Sequence, residues 1–250
     1  MERNNKIAQI TMLFWIMKVV STTLGETLGD YLSMTLNLGY TNSLIITLVI
    51  FLAVATIQIS LNKYIPLAFW LVIISTTTLG TEISDFLDRT LHLGYTLGSF
   101  LLLLLLLLSL LGWYKKYQSL AVFPITDKIK ECYFWIVVLF SNSLGTAFGD
   151  FLGDYLGLSY GQGAIITACI ILLVFILHNF SKVNHILLFW IAFIFTRPFG
   201  ATFGDLLTKP RIKGGMELGT LNATLAASGI LVVLILFAHF KLKKKLVTQS

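Results

Sequence analysis

Phe14-Trp15 recurs three times, as Phe69-Trp70, Phe134-Trp135 and Phe189-Trp190, and each copy brings the same residues behind it. A glycine stands ten residues after each Trp, at Gly25, Gly80, Gly145 and Gly200, and an aspartate fifteen after it, at Asp30, Asp85, Asp150 and Asp205. Tyr40, Tyr95 and Tyr160 follow at twenty-five in the first three copies. Self-similarity of this kind means one supersecondary unit used four times. Every copy runs on into a second apolar stretch, so the unit reads as a helical hairpin: one helix with the Gly-Asp motif, then one plain helix.

The medium follows from composition. With 56% hydrophobic and 12% charged residues in 250, and a mean hydropathy of +0.85, the chain lies outside the range of soluble domains. A membrane-spanning helix takes about 20 residues, so eight would consume most of the chain and leave no room for a folded soluble domain. A Rossmann enzyme, a nucleic-acid-binding module and a secreted disulfide scaffold are excluded. The expected fold is all-α: a polytopic membrane protein with eight transmembrane helices in four tandem two-helix repeats, pseudo-symmetric about the membrane normal. Motif helices are expected near 8–35, 65–91, 131–156 and 185–208, plain ones near 41–61, 94–114, 160–180 and 217–240. The repeats run from about 8–62, 63–114, 131–182 and 183–240 within a single transmembrane domain, 1–250, and a polar loop at 115–130 joins the halves.

Arg3 and Lys6 ahead of an apolar run have the form of a secretory signal. Lys18 interrupts that run, no small-residue cleavage site follows, and the pattern recurs three more times, so the segment is read as a first span. Most basic residues fall on one side of the expected hairpins: Arg3, Lys6, Lys63, Lys115, Lys116, Lys128, Lys130, Lys182, Lys241 and Lys243 to Lys245. Arg89, Lys209, Arg211 and Lys213 fall on the other. By the positive-inside rule both termini are cytoplasmic, and the net charge of +6 records topology rather than a nucleic-acid partner. The four motif tryptophans then read as anchors at the cytoplasmic interface, and Cys132 and Cys169 as packing residues, since they lie in no metal or redox spacing.

Of twelve acidic residues, eight fall inside the motif helices beyond their first residue: Glu26, Asp30, Glu82, Asp85, Asp88, Asp150, Asp154 and Asp205. An acid at mid-span costs about 2.5–3.5 kcal/mol on insertion scales, so these side chains must face protein or water. At 100° per residue the aspartates share a face with Thr23, Glu26 and Thr27; with Thr78, Thr81 and Glu82; with Ser143, Thr146 and Asp154; and with Thr202. That hydroxyl-and-carboxylate stripe is the candidate ion-binding or pore-lining surface. Beside it runs a small-residue stripe, Gly25/Gly29, Gly80/Ser84, Gly145/Gly149 and Gly200/Gly204, at the spacing that lets helix backbones approach. Four parallel motif helices suggest an inner ring around a central path, with plain helices such as the one carrying Leu101 to Leu108 facing lipid. Fifteen residues at about 1.5 Å each put the aspartates roughly 22 Å beyond the tryptophans, near an outer mouth. The fourth copy departs: Arg197-Pro198 replaces Thr22-Thr23 and its counterparts, and Ala201 replaces Glu26. Arg197 is read as a charge lock or gate paired with a carboxylate, and Pro198 as a kink.

These four copies of an FW…(S/T)…LG…GD(F/Y)L hairpin resemble the bacterial family of membrane proteins built from four tandem DUF347 repeats, each with two spans and a recurrent tryptophan. The resemblance covers essentially the whole chain and implies a bacterial inner-membrane location; it implies no substrate, cofactor or catalytic residue. Ser84 departs from the Gly of the other copies, and Gly215 stands where they have Tyr.

The favoured reading is a channel or transporter for a cation or proton, with Asp30, Asp85, Asp150 and Asp205 as a charge ring and Glu26 and Glu82 as deeper binding groups. Oxygen-only lining suits hard cations or protons over soft metals. Two alternatives stand beside it: acids that merely lock helix ends, and an intramembrane enzyme using paired carboxylates. No HExxH, GxSxG, P-loop or redox motif is present, no cofactor is implied, and the partners expected are the lipid bilayer and the cation or proton. A reporter fused after Ser250 should read cytoplasmic; a periplasmic signal there would overturn the orientation.

Overall fold

The computed structural model describes residues 5–247, with side chains from 5 to 243. Arg3 and the side chains of Lys244 and Lys245, counted above in the charge balance, lie outside the described residues. The motif helices are α1 (Met12–Asp30), α3 (Pro66–Asp85), α5 (Lys128–Asp150) and α7 (His185–Thr208); the plain helices are α2 (Gly39–Ser60), α4 (Gly94–Tyr117), α6 (Tyr160–Phe180) and α8 (Thr220–Val247). Helix starts follow local chemistry. Thr11 and Asn184 accept from Phe14 N at 3.4 Å and Ile186 N at 2.8 Å, Pro66 opens α3, and Ser159 with Gln162 forms a capping box on α6. Asp127 caps α5 through Lys130 N at 2.9 Å and also accepts from Tyr117. The Tyr117 hydroxyl and then the Lys130 amide hold the Asp127 carboxyl below the usual carboxylate range.

Seven of these helices are long and apolar enough to cross a membrane. The exception, α1, carries Lys18, Glu26 and Asp30 within nineteen residues. All three are buried, so the charge that lowers its hydropathy faces protein, not lipid.

Each of the first three motif helices changes character right after its aspartate, opening into a π-helical turn at Tyr31–Thr35, Phe86–Thr90 and Phe151–Tyr155. There the chain closes hydrogen bonds five residues apart, Leu36 N to Tyr31 O at 2.9 Å and its counterparts in the next two repeats. Gly39 and Gly94 then take φ of +72° and +71°, which only glycine adopts without cost; this is why glycine precedes Tyr40 and Tyr95. The fourth repeat stays α-helical to Thr208 and has a longer loop. Its plain helix starts at Thr220 behind Gly219, φ +81°. Thr220, not Gly215, therefore occupies the place of the tyrosines, and Gly215 belongs to the loop.

The motif helices form a closed ring, α1 against α3, α3 against α5, α5 against α7 and α7 against α1. Each plain helix packs on the motif helix of the following repeat, α2 on α3, α4 on α5 and α6 on α7, and α8 returns to α1. Adjacent hairpins thus interlock, and the last repeat completes the first. Motif helices α3, α5 and α7 are mostly buried, whereas the plain helices are mostly exposed. On α4 the buried residues are Gly98, Leu102, Leu106 and Trp113, while Leu103, Leu104, Leu107 and Leu108 are exposed.

Between motif helices the small-residue stripe sets the distance. A Cβ on Gly25 would lie 2.3 Å from Thr77 Oγ1 and 2.8 Å from the Thr77 carbonyl carbon; on Gly200 it would meet the same atoms of Thr22 at the same distances. Gly80 faces Asn142, Gly145 faces Arg197, Gly29 faces Thr81, Gly149 faces Ala201 and Gly204 faces Glu26. The closeness lets Thr77 Oγ1 donate to Ser21 O at 3.1 Å and Thr22 Oγ1 to Thr196 O at 3.2 Å across the interfaces. With lipid no more polar than a leucine, such backbone approach and hydrogen bonding are what hold helices together.

At the tryptophan end the aromatic pairs form a collar. Phe14 packs on Trp70 with ring centroids 5.7 Å apart, Phe69 on Trp135 at 5.5 Å and Phe189 on Trp15 at 5.6 Å, each Phe meeting the Trp of the next repeat. Trp70, Trp135 and Trp190 are buried and Trp15 half-buried, which corrects their reading as interface anchors: they close the inside of the ring. Both cysteines are free and exposed, so neither packs in the core. The segment before α1 folds beneath this end, where Lys6 pairs with Glu131 and donates to Ile59 O at 2.7 Å, and Gln58 bonds both Lys6 O at 2.9 Å and Glu131 at 3.1 Å.

Gly25→Ala and Gly200→Ala should each lower the melting temperature of detergent-purified protein, by overpacking worth about 1–3 kcal/mol. Gly229→Ala on α8, where the added methyl meets open space, should leave it unchanged or raised.

Candidate functional site

Seven residues after its Trp, each motif helix presents a side chain to the glycine of the preceding one: Thr22, Thr77, Asn142 and Arg197. Three of these are short. Arg197 is long, fully buried, and reaches all three other motif helices. Its Nη1 donates to Thr22 O at 2.8 Å; its Nη2 lies 2.9 Å from Glu26 Oε2, 2.5 Å from Thr81 Oγ1, 2.6 Å from Thr146 Oγ1 and 3.3 Å from Thr77 O; its Nε donates to Asn142 O at 3.3 Å. The guanidinium therefore fills the middle of the ring, and α7 runs unbroken through Pro198 beside it. Toward the collar the fully buried Lys18 donates to Asn142 Oδ1 at 3.0 Å and sits 4.2 Å from the Phe193 ring centroid. The expectation of a central path meets a correction here: Arg197, Lys18 and the aromatic collar occupy that space.

On the aspartate side of Arg197 the ring opens into a cavity of about 210 Å³ whose lining includes Glu26, Asp150, Asp154, Asp205, Arg89 and Lys209. Glu26, Asp30 and Asp205 each bring a carboxylate oxygen within 4.8 Å of the others. Lys209 Nζ lies between two of them, 2.6 Å from Asp30 Oδ2 and 3.3 Å from Asp205 Oδ1. Asp85 instead pairs with Arg89 of its own helix at 2.9 Å. Asp150 is buried, lines the cavity, and has no hydrogen-bond or ion-pair partner among the described residues.

Not every stripe residue meets here. Thr23, Thr78 and Ser143 bond back to Val19 O, Ile74 O and Leu139 O of their own helices, at 3.2, 3.0 and 3.0 Å, and none lines the cavity. Glu82 is fully buried, has no hydrogen-bond partner among the described residues, and does not line it either. At its register position twelve residues after the Trp, Thr27 bonds Thr224 of α8 at 3.1 Å and Thr202 packs on Gly163 of α6, so this position faces the plain helices. Glu82 and Glu26 are thus not equivalent.

Four segments, 13–64, 68–118, 133–184 and 188–243, match the family described as Repeat of Unknown Function (DUF347). The chain belongs to the DUF347 family. Comparison with curated proteins and with solved structures finds no match.

Within the DUF347 repeats, the position nineteen residues after the Trp carries Met34, Arg89, Asp154 and Lys209, and all four line the cavity. Arg89 and Lys209 are the residues that the sequence reading left out of the stripe. Their signal was available, since a base four residues after an acid on a helix shares its face. The tyrosines at twenty-five return to this level: Tyr40 accepts from Arg89 at 3.2 Å, Tyr95 donates to Asp154 at 2.8 Å, and Tyr160 lines the cavity with Lys209. Each tyrosine reaches the following repeat.

Arg197→Met or Glu26→Gln alone strands one buried member of the pair and should destabilise by about 3–5 kcal/mol; the double variant should recover part of that loss. Thermal melts of the three variants check this.

Proposed function

We propose that the protein carries a cation or proton across a membrane, using the cavity at the aspartate end of the ring as its binding site. The observation that carries this reading is the convergence of the Glu26, Asp30 and Asp205 carboxylates within 4.8 Å beside a cavity that Asp150 also lines. Around it, Glu26, Asp30, Asp85, Asp150, Asp154 and Asp205 outnumber Arg89, Arg197, Lys209 and Lys213, which favours cations over anions. The filled ring centre supports a gated transporter over an open channel: Arg197 must shift before anything passes. In this reading α1 is the eighth span, the repeats are arranged about the membrane normal, both termini are cytoplasmic in a bacterial inner membrane, and the cavity opens outward.

A second reading makes the acids helix locks, and the Asp85–Arg89 pair within one helix favours it locally. Asp150 without a partner, and Lys209 shared between Asp30 and Asp205 of different repeats, speak against extending it to the cluster.

Reconstituted vesicles should pass protons or one of sodium, potassium, magnesium and manganese. Asp150→Asn and Asp205→Asn should cut that flux at least tenfold while keeping the melting temperature within a few degrees. Unchanged flux with lost stability would decide for locks.

A further inference from the structure

The proposed transport site names no ion, and the seat of Lys209 narrows the choice. A lysine ammonium is itself a cation. Lys209 Nζ touches Asp30 and Asp205 at 2.6 and 3.3 Å, between two of the three carboxylates that converge. The Asp30 side chain is 3% exposed and that of Asp205 9%, whereas Lys209 is 21% exposed. The acids are fixed in the wall, and the lysine has a way out toward the cavity mouth. Asp150, 8% exposed and without a partner among the described residues, lines the same cavity, so the site holds more negative charge than its own bases neutralise.

We propose that Asp30, Asp205 and Glu26 form a seat for a hard divalent cation, which Lys209 fills with its own ammonium when the ion is absent, so that ion and side chain compete. The inference rests on the transport reading and deepens it. Charge sets the valence. With Lys209 displaced, Asp30 and Asp205 carry two uncompensated charges, while Glu26 keeps Arg197 at 2.9 Å; one divalent ion balances the two. Size agrees: oxygens on opposite sides of calcium are about 4.6–5.2 Å apart, and those of magnesium about 4.0–4.2 Å. The three carboxylate oxygens all lie within 4.8 Å of one another, no farther apart than one calcium ion can bridge. All the ligands are carboxylate oxygens, as such ions require. Lys209 stays charged throughout and moves from the seat to the wet mouth, so no proton transfer is involved.

Competition by a tethered group acts at an effective concentration of order millimolar or more, so removing it should tighten ion binding. Manganese serves as the probe, with binding to detergent-purified full-length protein read by the loss of its free electron paramagnetic resonance signal, and magnesium and calcium as competitors. Lys209→Gln should lower the manganese dissociation constant at least tenfold, and Asp30→Asn or Asp205→Asn added to it should abolish the gain. Lys209→Arg, which keeps a competitor, should stay within about threefold of wild type, as should Arg211→Gln, which removes an exposed charge that lies beside Glu217 and does not line the cavity. In the wild type, an amine-reactive reagent should label Lys209 faster at saturating magnesium, a readout that does not depend on any variant folding. Unchanged affinity in folded Lys209→Gln, an equal gain in Arg211→Gln, or no rise in labelling each overturns the seat. If affinity does not change while wild-type vesicles still carry cations, the seat falls and transport stands. Tightened binding with no flux through wild-type vesicles upholds the seat and overturns transport.

Discussion

A guanidinium held in the middle of four helices governs this structure. Taking a charge out of water costs several kcal/mol even after relaxation, and the cost is met only if the N–H groups find acceptors with the charge balanced. Arg197 finds both at once: carbonyls of Thr22, Thr77 and Asn142, hydroxyls of Thr81 and Thr146, and the Glu26 carboxylate. Those acceptors come from three different helices, so none can be supplied without bringing the whole ring together. The glycine stripe makes that possible. Gly145 leaves the space that the Arg197 stem occupies, and its counterparts hold the remaining neighbours close enough for their carbonyls to converge.

The backbone repeats, but its chemistry does not. Seven residues past the Trp the side chains are Thr, Thr, Asn and Arg; eleven past, Glu, Thr, Thr and Ala; nineteen past, Met, Arg, Asp and Lys. A strict fourfold ring would place four like charges around one axis and drive them apart. Substitution at single registers instead gives one plug, one acid that bonds it, and one ammonium between two carboxylates. Asp30, Asp85, Asp150 and Asp205, identical in sequence, consequently meet different fates. Asp85 is held by Arg89, Asp30 and Asp205 share Lys209, and Asp150 has no partner among the described residues.

Much of this was legible beforehand, and the failures have physical causes. The hairpins, the four motif helices and the glycine contacts follow from register alone. In the leucine run of α4 the buried face cannot be read, because Leu102 and Leu103 differ only in what lies next to them. The tryptophans were misassigned for a related reason. Trp suits both an interface and an aromatic core, and only the ring geometry, with Phe14, Phe69 and Phe189 each meeting the next repeat's Trp, decides for the core. The stripe was drawn too wide, since a helix inside a ring has two polar neighbours. The register of Thr81 and Thr146 turns toward Arg197, and the adjacent one of Thr27 and Thr202 turns toward the plain helices. The π turns left no compositional trace, as Tyr31–Thr35, Phe86–Thr90 and Phe151–Tyr155 read as ordinary helix.

Glu26 is the residue on which plug and cavity meet. Its carboxylate bonds Arg197 at 2.9 Å and also stands within 4.8 Å of Asp30 and Asp205. An ion seated among those three draws on the same negative charge that holds the guanidinium, so the two cations compete for Glu26 without touching. Strengthening one hold weakens the other, by the reciprocity that any two linked sites obey. A filled seat thereby loosens one of the contacts that keep Arg197 in the middle of the ring, and an empty seat restores it. On the proposed transport reading, entry of the ion and release of Arg197 are coupled through a single side chain, and no permanent opening is required.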